Sequence, residues 1–219
     1  MGSISTLSRS TPAEQPYWAA VGLCERAAAV VLFACALPVT LVSAILIRSL
    51  SGRTPLIAHR RVGRSGAPLW MLKLRTMWDS TAPPLARAGW IEYIADDAGP
   101  GRKIENDPRV PNRFAQFLRR HSLDELPQLW HVMGGEMSLV GPRPLTTSEL
   151  RQYYGAHADE VLRVRPGLAG LWQISGRNRL SYSERRNLDL KFVRQRSIAM
   201  YFTILLRTVP EILLGRNSW

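Results

Sequence analysis

The stretch AAAVVLFACALPVTLVSAILI, from Ala27 to Ile47, decides how this chain is organised. Its 21 residues carry no charge, and as a helix rising about 1.5 Å per residue they cover a bilayer core of about 30 Å. A helix in the core of a soluble domain is rarely apolar on every side for this length. We therefore predict a membrane-embedded helix within residues 17–48, an interfacial anchor at Tyr17 and Trp18, and a loose tail over residues 1–16.

Two features bear on whether this helix crosses the bilayer. Pro38 stands in its middle, where a proline removes one backbone hydrogen bond and favours a bend. Arg26 precedes the stretch and several arginines follow it between positions 48 and 64, so the C-terminal side is predicted to be cytoplasmic, whereas the N-terminal side carries no signal for export. A re-entrant helix that bends at Pro38 and an ordinary kinked span both fit these residues.

Residues 49–219 contain no second apolar run of this length and no internal repeat, which favours one compact domain. The overall pattern predicts an α+β fold that is mainly helical. A segment rich in Pro, Gly and Ala, Thr81–Arg102, is predicted to be a long loop that could close over a substrate. The final segment is amphipathic and suits either a membrane surface or the core. The clearest predicted elements are strands at Leu56–His59 and Leu69–Leu74 and helices at Ser183–Phe192 and Ile198–Leu214.

Composition limits the classes of partner. The 219 residues are 46% apolar and 21% charged, which excludes wholesale disorder and a many-span membrane protein. The net charge of +12 predicts attraction to an anion: nucleic acid, a phospholipid surface or a phosphorylated substrate. We disfavour nucleic acid because the chain has no recognised binding signature and its charge is spread along its length. The two cysteines and four histidines lack the spacing of a disulfide scaffold or a zinc site.

The segment HSLDELPQLW, His121–Trp130, holds two adjacent carboxylates. A capping box with Ser122 as N-cap would place Pro127 where its missing N–H is needed. A helix that starts with Pro127 at its first position avoids this cost and leaves Asp124 and Glu125 before an anion-attracting helix end. Such a pair suits attack on a phosphorus by one carboxylate and proton or metal work by the other, and Mg²⁺ is the cation expected with oxygen ligands and a phosphoryl substrate.

Two basic motifs accompany the acidic pair. Gly141-Pro-Arg-Pro144 holds Arg143 on a stiff, extended loop that suits a phosphate clamp. Lys73-Leu-Arg-Thr-Met77 is an alternating basic strand. Taken alone, Gly141–Pro144 is more typical of a structural turn with a surface arginine than of a phosphate site. Lys73–Met77 taken alone is also typical of a solvated strand face.

Taken in order, these segments resemble the bacterial sugar transferase family, the monotopic polyprenyl-phosphate phosphoglycosyl transferases. The similarity runs from about Ala27 to the C-terminus. Within the family, the chain most resembles small members that start exopolysaccharide synthesis. It favours the re-entrant helix bent at Pro38. The segments that carry it are Lys73-x-Arg-x-Met77, Asp124-Glu-Leu-Pro-Gln128, Met137-Ser-Leu-Val-Gly-Pro-Arg-Pro144 and Arg165-Pro-Gly-Leu-x-Gly-Leu-Trp-Gln-x-Ser-Gly-Arg177.

The resemblance implies transfer of a hexose 1-phosphate from a UDP-hexose to undecaprenyl phosphate with release of UMP, the first step of exopolysaccharide or related glycan synthesis. It places the enzyme among phospholipids at the cytoplasmic face of the bacterial inner membrane. Asp124 would be the nucleophile that forms a covalent phosphosugar intermediate, and Glu125 would act as base or support Mg²⁺, which Asp124 also contacts. The identity of the hexose, galactose or glucose, and a homo-oligomeric state are left open. The residues implied to bind substrate phosphates are Lys73, Arg75, Arg143 and Arg177.

The chain departs from the family pattern in three places. The segment Asp107–Ala115 is one residue longer than usual and lacks a glycine, Phe192 replaces a tyrosine, and Tyr201 replaces an acidic residue. Asp189 fits the family's late aspartate and would support the site. A catalytically inactive scaffold would accommodate these departures but does not explain the intact acidic pair, so we prefer the enzyme.

Overall fold

The computed structural model describes residues 16–78, 89–95, 109–110, 112–176 and 179–214. The tail over residues 1–15, most of the loop Thr81–Arg102, and Arg177 lie outside these ranges. The loop prediction is wrong for Ile91–Ile94, which forms a strand because it pairs in parallel with another strand of the sheet.

The protein is α+β and mainly helical, as the sequence predicts. Among the described residues, the strands are β1 Leu56–Val62, β2 Pro68–Leu74, β3 Ile91–Ile94, β4 Ser138–Val140 and β5 Gly167–Ala169. The helices are α1 Pro16–Ser51, α2 Arg113–Arg120, α3 Leu129–Gly134, α4 Thr147–Glu149, α5 Ala158–Val161, α6 Leu171–Ile174, α7 Tyr182–Gln195 and α8 Ile198–Leu214. Short 3₁₀ turns occupy Arg64–Gly66, Leu123–Gln128 and Gly155–His157, and one π-turn occupies Leu150–Tyr154.

Helix α1 extends three residues beyond the predicted end, to Ser51, and stays continuous through Pro38. It begins at Pro16, a position where the absent N–H of proline costs nothing. By length and composition it could cross a membrane. Its buried and half-buried side chains nevertheless recur every three or four residues and so form one stripe along the helix. The stripe includes Trp18, Glu25, Ala29, Phe33, Ala36, Thr40, Ala44, Ile47 and Ser51.

This stripe packs on the rest of the protein near both ends of α1 and in its middle. Near the N-terminus, Trp18 packs on a cluster that contains Tyr201, and further along Ala29 packs with Leu69. Near its C-terminus, Ala44 and Ile47 pack in a cluster with Leu74 and Leu118. About 44 Å of straight helix separates Trp18 from Ile47 at 1.5 Å per residue. Helix α1 therefore lies along the domain instead of leaving it at one end.

A buried carboxylate ties α1 to two other elements. Glu25 accepts hydrogen bonds from the Ser138 hydroxyl, from the Leu139 N–H at 2.9 Å and from the Tyr201 hydroxyl at 2.5 Å. Burial and the neighbouring Glu25 raise the pKa of Tyr201, which keeps this hydroxyl a donor. The departure at position 201 thus has a physical explanation, since a tyrosine there serves as partner to a buried acid.

Two small sheets position the loops that matter for function. The first has the order β2-β1-β3, with β1 and β2 antiparallel and β3 parallel to β1. The second pairs β4 with β5 in parallel. Helices α7 and α8, both predicted from periodicity, pack behind this second sheet, and Phe192 is buried there with Val140 and Ile204.

The departure at Ala115 is also accommodated. Its N–H donates to the Asn112 side chain at 2.8 Å, which makes Asn112 the N-cap of α2. The Ala115 side chain is fully buried, so a small residue suits the position without requiring glycine.

Candidate active site

The acidic turn, Leu123–Gln128, carries the two adjacent carboxylates. Neither predicted placement of Pro127 is correct, because a 3₁₀ turn covers residues 123–128 and α3 begins only at Leu129. Ser122 precedes the turn with φ +54°, in the left-handed region, and its side chain makes no capping bond. The capping box is therefore absent, and the carboxylates lie within a tight turn instead of a loop.

Asp124 and Glu125 line one cavity of about 330 Å³. Asp124 is 6% exposed, so a ligand reaches it through this cavity. Glu125 Oε1 accepts a hydrogen bond from Lys73 Nζ at 2.7 Å. A cation from β2 therefore holds Glu125 in place at the cavity wall.

The backbone of β2 next to Lys73 is held by a side chain of α3, at the edge of the sheet. The Leu72 N–H donates to His131 Nε2 at 3.2 Å, so the proton of this imidazole lies on Nδ1, which donates to Glu136 at 2.6 Å. Helix α3 thus fixes the register of β2 relative to the acidic turn that precedes α3.

Arg143 reaches the cavity from the loop that follows β4. The loop is tight because Gly141 N–H donates to the Ala169 carbonyl and Gly167 N–H donates to the Pro142 carbonyl, both at 2.9 Å. A Cβ on Gly141 would lie 2.5 Å from the Arg165 carbonyl oxygen, so this close approach requires glycine. The Arg143 guanidinium carbon lies 5.6 Å from the centre of the Trp172 ring.

Asp189 supports this loop from behind. It is 1% exposed and accepts a hydrogen bond from the Tyr154 hydroxyl at 2.7 Å. Burial raises the pKa of Asp189 to about 7, against the opposing effects of the Tyr154 hydroxyl, the Arg143 backbone and the Arg143 and Arg185 charges. Burial and Asp189 in turn raise the pKa of Tyr154.

Arg75 does not line the cavity. Its guanidinium donates to Glu92 Oε2 at 2.5 Å and to the Thr54 carbonyl at 2.7 Å. The phosphate-binding role predicted for Arg75 is therefore replaced by a structural one, because its donors connect β3 to the segment before β1. Arg177, also predicted to bind phosphate, lies outside the described residues.

The profile of the family described as "Bacterial sugar transferase" matches residues 18–215. The chain belongs to the bacterial sugar transferase family. It is 41% identical to the exopolysaccharide production protein ExoY of Rhizobium meliloti (strain 1021) over 183 residues, 83% of this chain and 80% of that protein. It is also 41% identical over 182 residues, 79% of this chain, to the UDP-galactose-lipid carrier transferase of Erwinia amylovora. A further relative is the UDP-glucose:undecaprenyl-phosphate glucose-1-phosphate transferase of Caulobacter vibrioides, 35% identical over 201 residues that make up 88% of this chain and 69% of that protein.

The relatives differ in length. The matched region is 36% of the Erwinia amylovora protein, so this chain corresponds to about a third of that relative and to most of ExoY.

The structure of this sugar transferase adds cavity residues that sequence reasoning missed. Arg119 and Arg185 line the cavity, as do Gln128 and Trp172. Gln128 and Trp172 lie inside the motifs that carry the family resemblance, so their positions in those motifs could have indicated a role in the site. Arg119 and Arg185 stand outside them, and only the packing of α2 and α7 brings them in. The basic side chains that line the cavity are His59, Arg61, Lys73, Arg109, Arg119, Arg143 and Arg185.

Proposed function

We propose that this chain transfers a hexose 1-phosphate from a UDP-hexose to undecaprenyl phosphate, releases UMP, and so begins exopolysaccharide or related glycan synthesis. The observation that carries the proposal is the buried carboxylate of Asp124 in a cavity rich in basic side chains. Membership of the family and the names of the relatives from Erwinia amylovora and Caulobacter vibrioides support the same substrate classes.

The reaction proceeds in two displacements at one phosphorus. An Asp124 carboxylate oxygen attacks the β-phosphorus of the UDP-hexose, and the bond from that phosphorus to the bridging oxygen breaks, so UMP departs with the electron pair. A phosphate oxygen of undecaprenyl phosphate then attacks the same phosphorus, and the Asp124–phosphorus bond breaks. Asp124 is regenerated as a carboxylate, and the product is a lipid diphosphate that carries the hexose.

The basic residues of the cavity neutralise charge during these steps. The Arg143 guanidinium contacts the phosphate groups of the donor. Lys73 holds Glu125 beside Asp124, and Glu125 takes a proton from the incoming acceptor phosphate.

The residues of the acidic turn fit a Mg²⁺ ion that is shared with substrate. Among the described residues no group of three or more His, Cys, Asp or Glu side chains could hold a metal by itself. Mg²⁺ is commonly bound by one or two carboxylates together with substrate phosphates, and Asp124 and Glu125 supply this number. When bound, Mg²⁺ would stabilise negative charge on the phosphoryl oxygens.

The exposed apolar surface supports attachment to the cytoplasmic face of the bacterial inner membrane. The outer side of α1 exposes large apolar residues, among them Leu23, Val31, Val42 and Ile45. Helix α8 buries Tyr201 and Ile204 but exposes Phe202 and Leu206 on its other side. An apolar surface of this extent is typical of membrane contact. Because α1 packs on the domain near both its ends, we propose that both ends lie on the cytoplasmic side.

The activity is tested with purified protein in detergent, Mg²⁺, undecaprenyl phosphate and a panel of UDP-hexoses. We expect UMP release with at least one hexose, and protein that becomes labelled by a donor radioactive in the sugar. Asp124→Asn should lose both signals because an amide is not a nucleophile of this kind. The exposed Asp159→Asn is the matched control and should keep both. Full turnover by Asp124→Asn would exclude the mechanism.

The topology is tested by labelling single cysteines in intact cells, in a background that lacks Cys24 and Cys35. A cysteine at position 17 and one at position 53 should both resist a membrane-impermeant maleimide and react after the cells are opened. Labelling of position 17 alone in intact cells would show that α1 spans the membrane.

A further inference from the structure

Two neutral residues that line the cavity each carry a buried side-chain N–H group without a hydrogen-bond partner among the described parts of the chain. The groups are Gln128 Nε2 and Trp172 Nε1. A buried donor without a partner costs about 1–3 kcal/mol, so native proteins seldom leave several together. Two such donors on one cavity indicate a ligand that supplies acceptors to both of them.

Gln128 stands next to the reacting carboxylate. It ends the acidic turn, one helical turn after Asp124, and is 3% exposed. The part of Gln128 without a partner is its amide nitrogen, a donor. Asp124 and Gln128 line the same cavity, so a group bound at Asp124 lies on the side of the turn that Gln128 faces.

Trp172 stands at the arginine side of the cavity, on α6, and is 7% exposed. The guanidinium carbons of Arg143 and Arg185 lie 5.6 Å and 5.1 Å from the centre of its ring. The ring is thus already engaged by two cations. Its indole N–H, a donor only, is the part of Trp172 that a ligand can use.

The type of these groups selects the ligand. A sugar hydroxyl donates as well as accepts, so it would be poorly matched by an indole N–H and two guanidinium groups, none of which accepts a hydrogen bond. The oxygens of a diphosphate only accept at neutral pH and carry the charge that Arg143 and Arg185 balance.

We propose that Gln128 and Trp172 bind the diphosphate of the donor, Gln128 at the phosphate attacked by Asp124 and Trp172 at the phosphate that leaves with the nucleoside. This inference rests on the proposed function for the identity of the donor. It assigns substrate contacts to two neutral residues, in addition to the basic residues of the cavity.

The test measures binding of UMP and UDP to the full chain in detergent with Mg²⁺, by calorimetry. Trp172→Phe keeps an aromatic ring but lacks the indole N–H. It should weaken the binding of both nucleotides about five- to tenfold, the equivalent of one lost hydrogen bond of about 1 kcal/mol or slightly more. Gln128→Met should weaken UDP by the same factor and change UMP less than about twofold, since UMP lacks the second phosphate. The matched controls are Trp90→Phe and Gln195→Met, both exposed.

A measurement on the wild-type chain guards against variants that fold poorly. The indole ¹H–¹⁵N resonance of Trp172 should shift on addition of UMP, whereas that of Trp90 should not. Unchanged UMP affinity in Trp172→Phe, unchanged UDP affinity in Gln128→Met, or an unmoved Trp172 resonance overturns the inference. Absence of UMP release from every UDP-hexose, with these binding losses intact, overturns the proposed function and leaves the diphosphate site standing.

Discussion

Removing the hydroxyl of Tyr154 should destabilise the protein by an amount that grows with pH. In the folded state, Asp189 has a pKa raised to about 7, against 3.8 for an ordinary aspartate. An acid whose pKa is raised on folding stabilises the fold fully below its unfolded pKa, and this contribution is lost as pH rises through its folded pKa. The wild-type free energy of unfolding should therefore carry a component that declines between about pH 4 and pH 7.

Tyr154→Phe removes the donor that lies 2.7 Å from Asp189. Near pH 5 Asp189 is mostly neutral in the folded protein, so the variant loses an ordinary hydrogen bond, worth about 1 kcal/mol. Near pH 8 Asp189 is ionised, and a bond to a charged acceptor is worth about 1.5–3 kcal/mol. For a domain of this size, 1 kcal/mol corresponds to about 2–4 °C in Tm.

The assay is thermal unfolding in detergent at pH 5 and pH 8, with Tyr153→Phe as the matched control. We expect Tyr154→Phe to lower Tm by about 2–4 °C at pH 5 and by about twice that at pH 8. The control should change Tm little at either pH, because it keeps the ring that stacks on Tyr182 at 4.2 Å. An equal loss at both pH values would refute the charged, buried state of Asp189 on which the reasoning depends.

Three further predictions test particular contacts. Arg75→Met should lower the free energy of unfolding by about 2 kcal/mol because it removes a partly buried ion pair with Glu92 and the hydrogen bond to the Thr54 carbonyl, while the KM for the UDP-hexose stays the same in steady-state assays. A raised KM would return Arg75 to the substrate site. Glu25→Met should cost about 2–3 kcal/mol in chemical unfolding, since its side chain cannot accept the hydrogen bonds that Ser138, Leu139 and Tyr201 donate, and a neutral effect would contradict the buried role of this acid. Lys73→Met should lower kcat more than it raises KM by freeing Glu125 from its cation, and a change in KM alone would show that Lys73 serves binding only.

Local signals predicted much of the fold. The apolar run, the hairpin strands and the last two helices are confirmed, because each depends on periodicity and composition within one segment. The strand β3 was missed because it has only four residues and is stabilised by pairing with β1, which is distant in sequence. The start of α3 was wrong by two residues, since a 3₁₀ turn can accommodate Pro127 where an α-helix would lose a hydrogen bond.

The candidate site likewise contains residues that sequence motifs predicted and residues whose positions only the structure gives. The acidic pair and Arg143 are recognisable as motifs, and the structure places them around one cavity. Lys73 and Arg75 form one motif, yet only Lys73 lines that cavity. Strand β2 ends at Leu74, so the alternation that would place both side chains on one face no longer holds at position 75.

By itself, the sequence determined which segments are apolar, where carboxylates and arginines cluster, and the family to which those motifs point. Tertiary structure alone decided which of these groups meet. Glu25 and Tyr201 are 176 residues apart and Tyr154 and Asp189 are 35 apart, and both pairs depend on how α1, α7 and α8 pack. The physical reason is that a hydrogen bond depends on distances of a few tenths of an ångström, which side-chain packing sets and residue spacing along the chain does not.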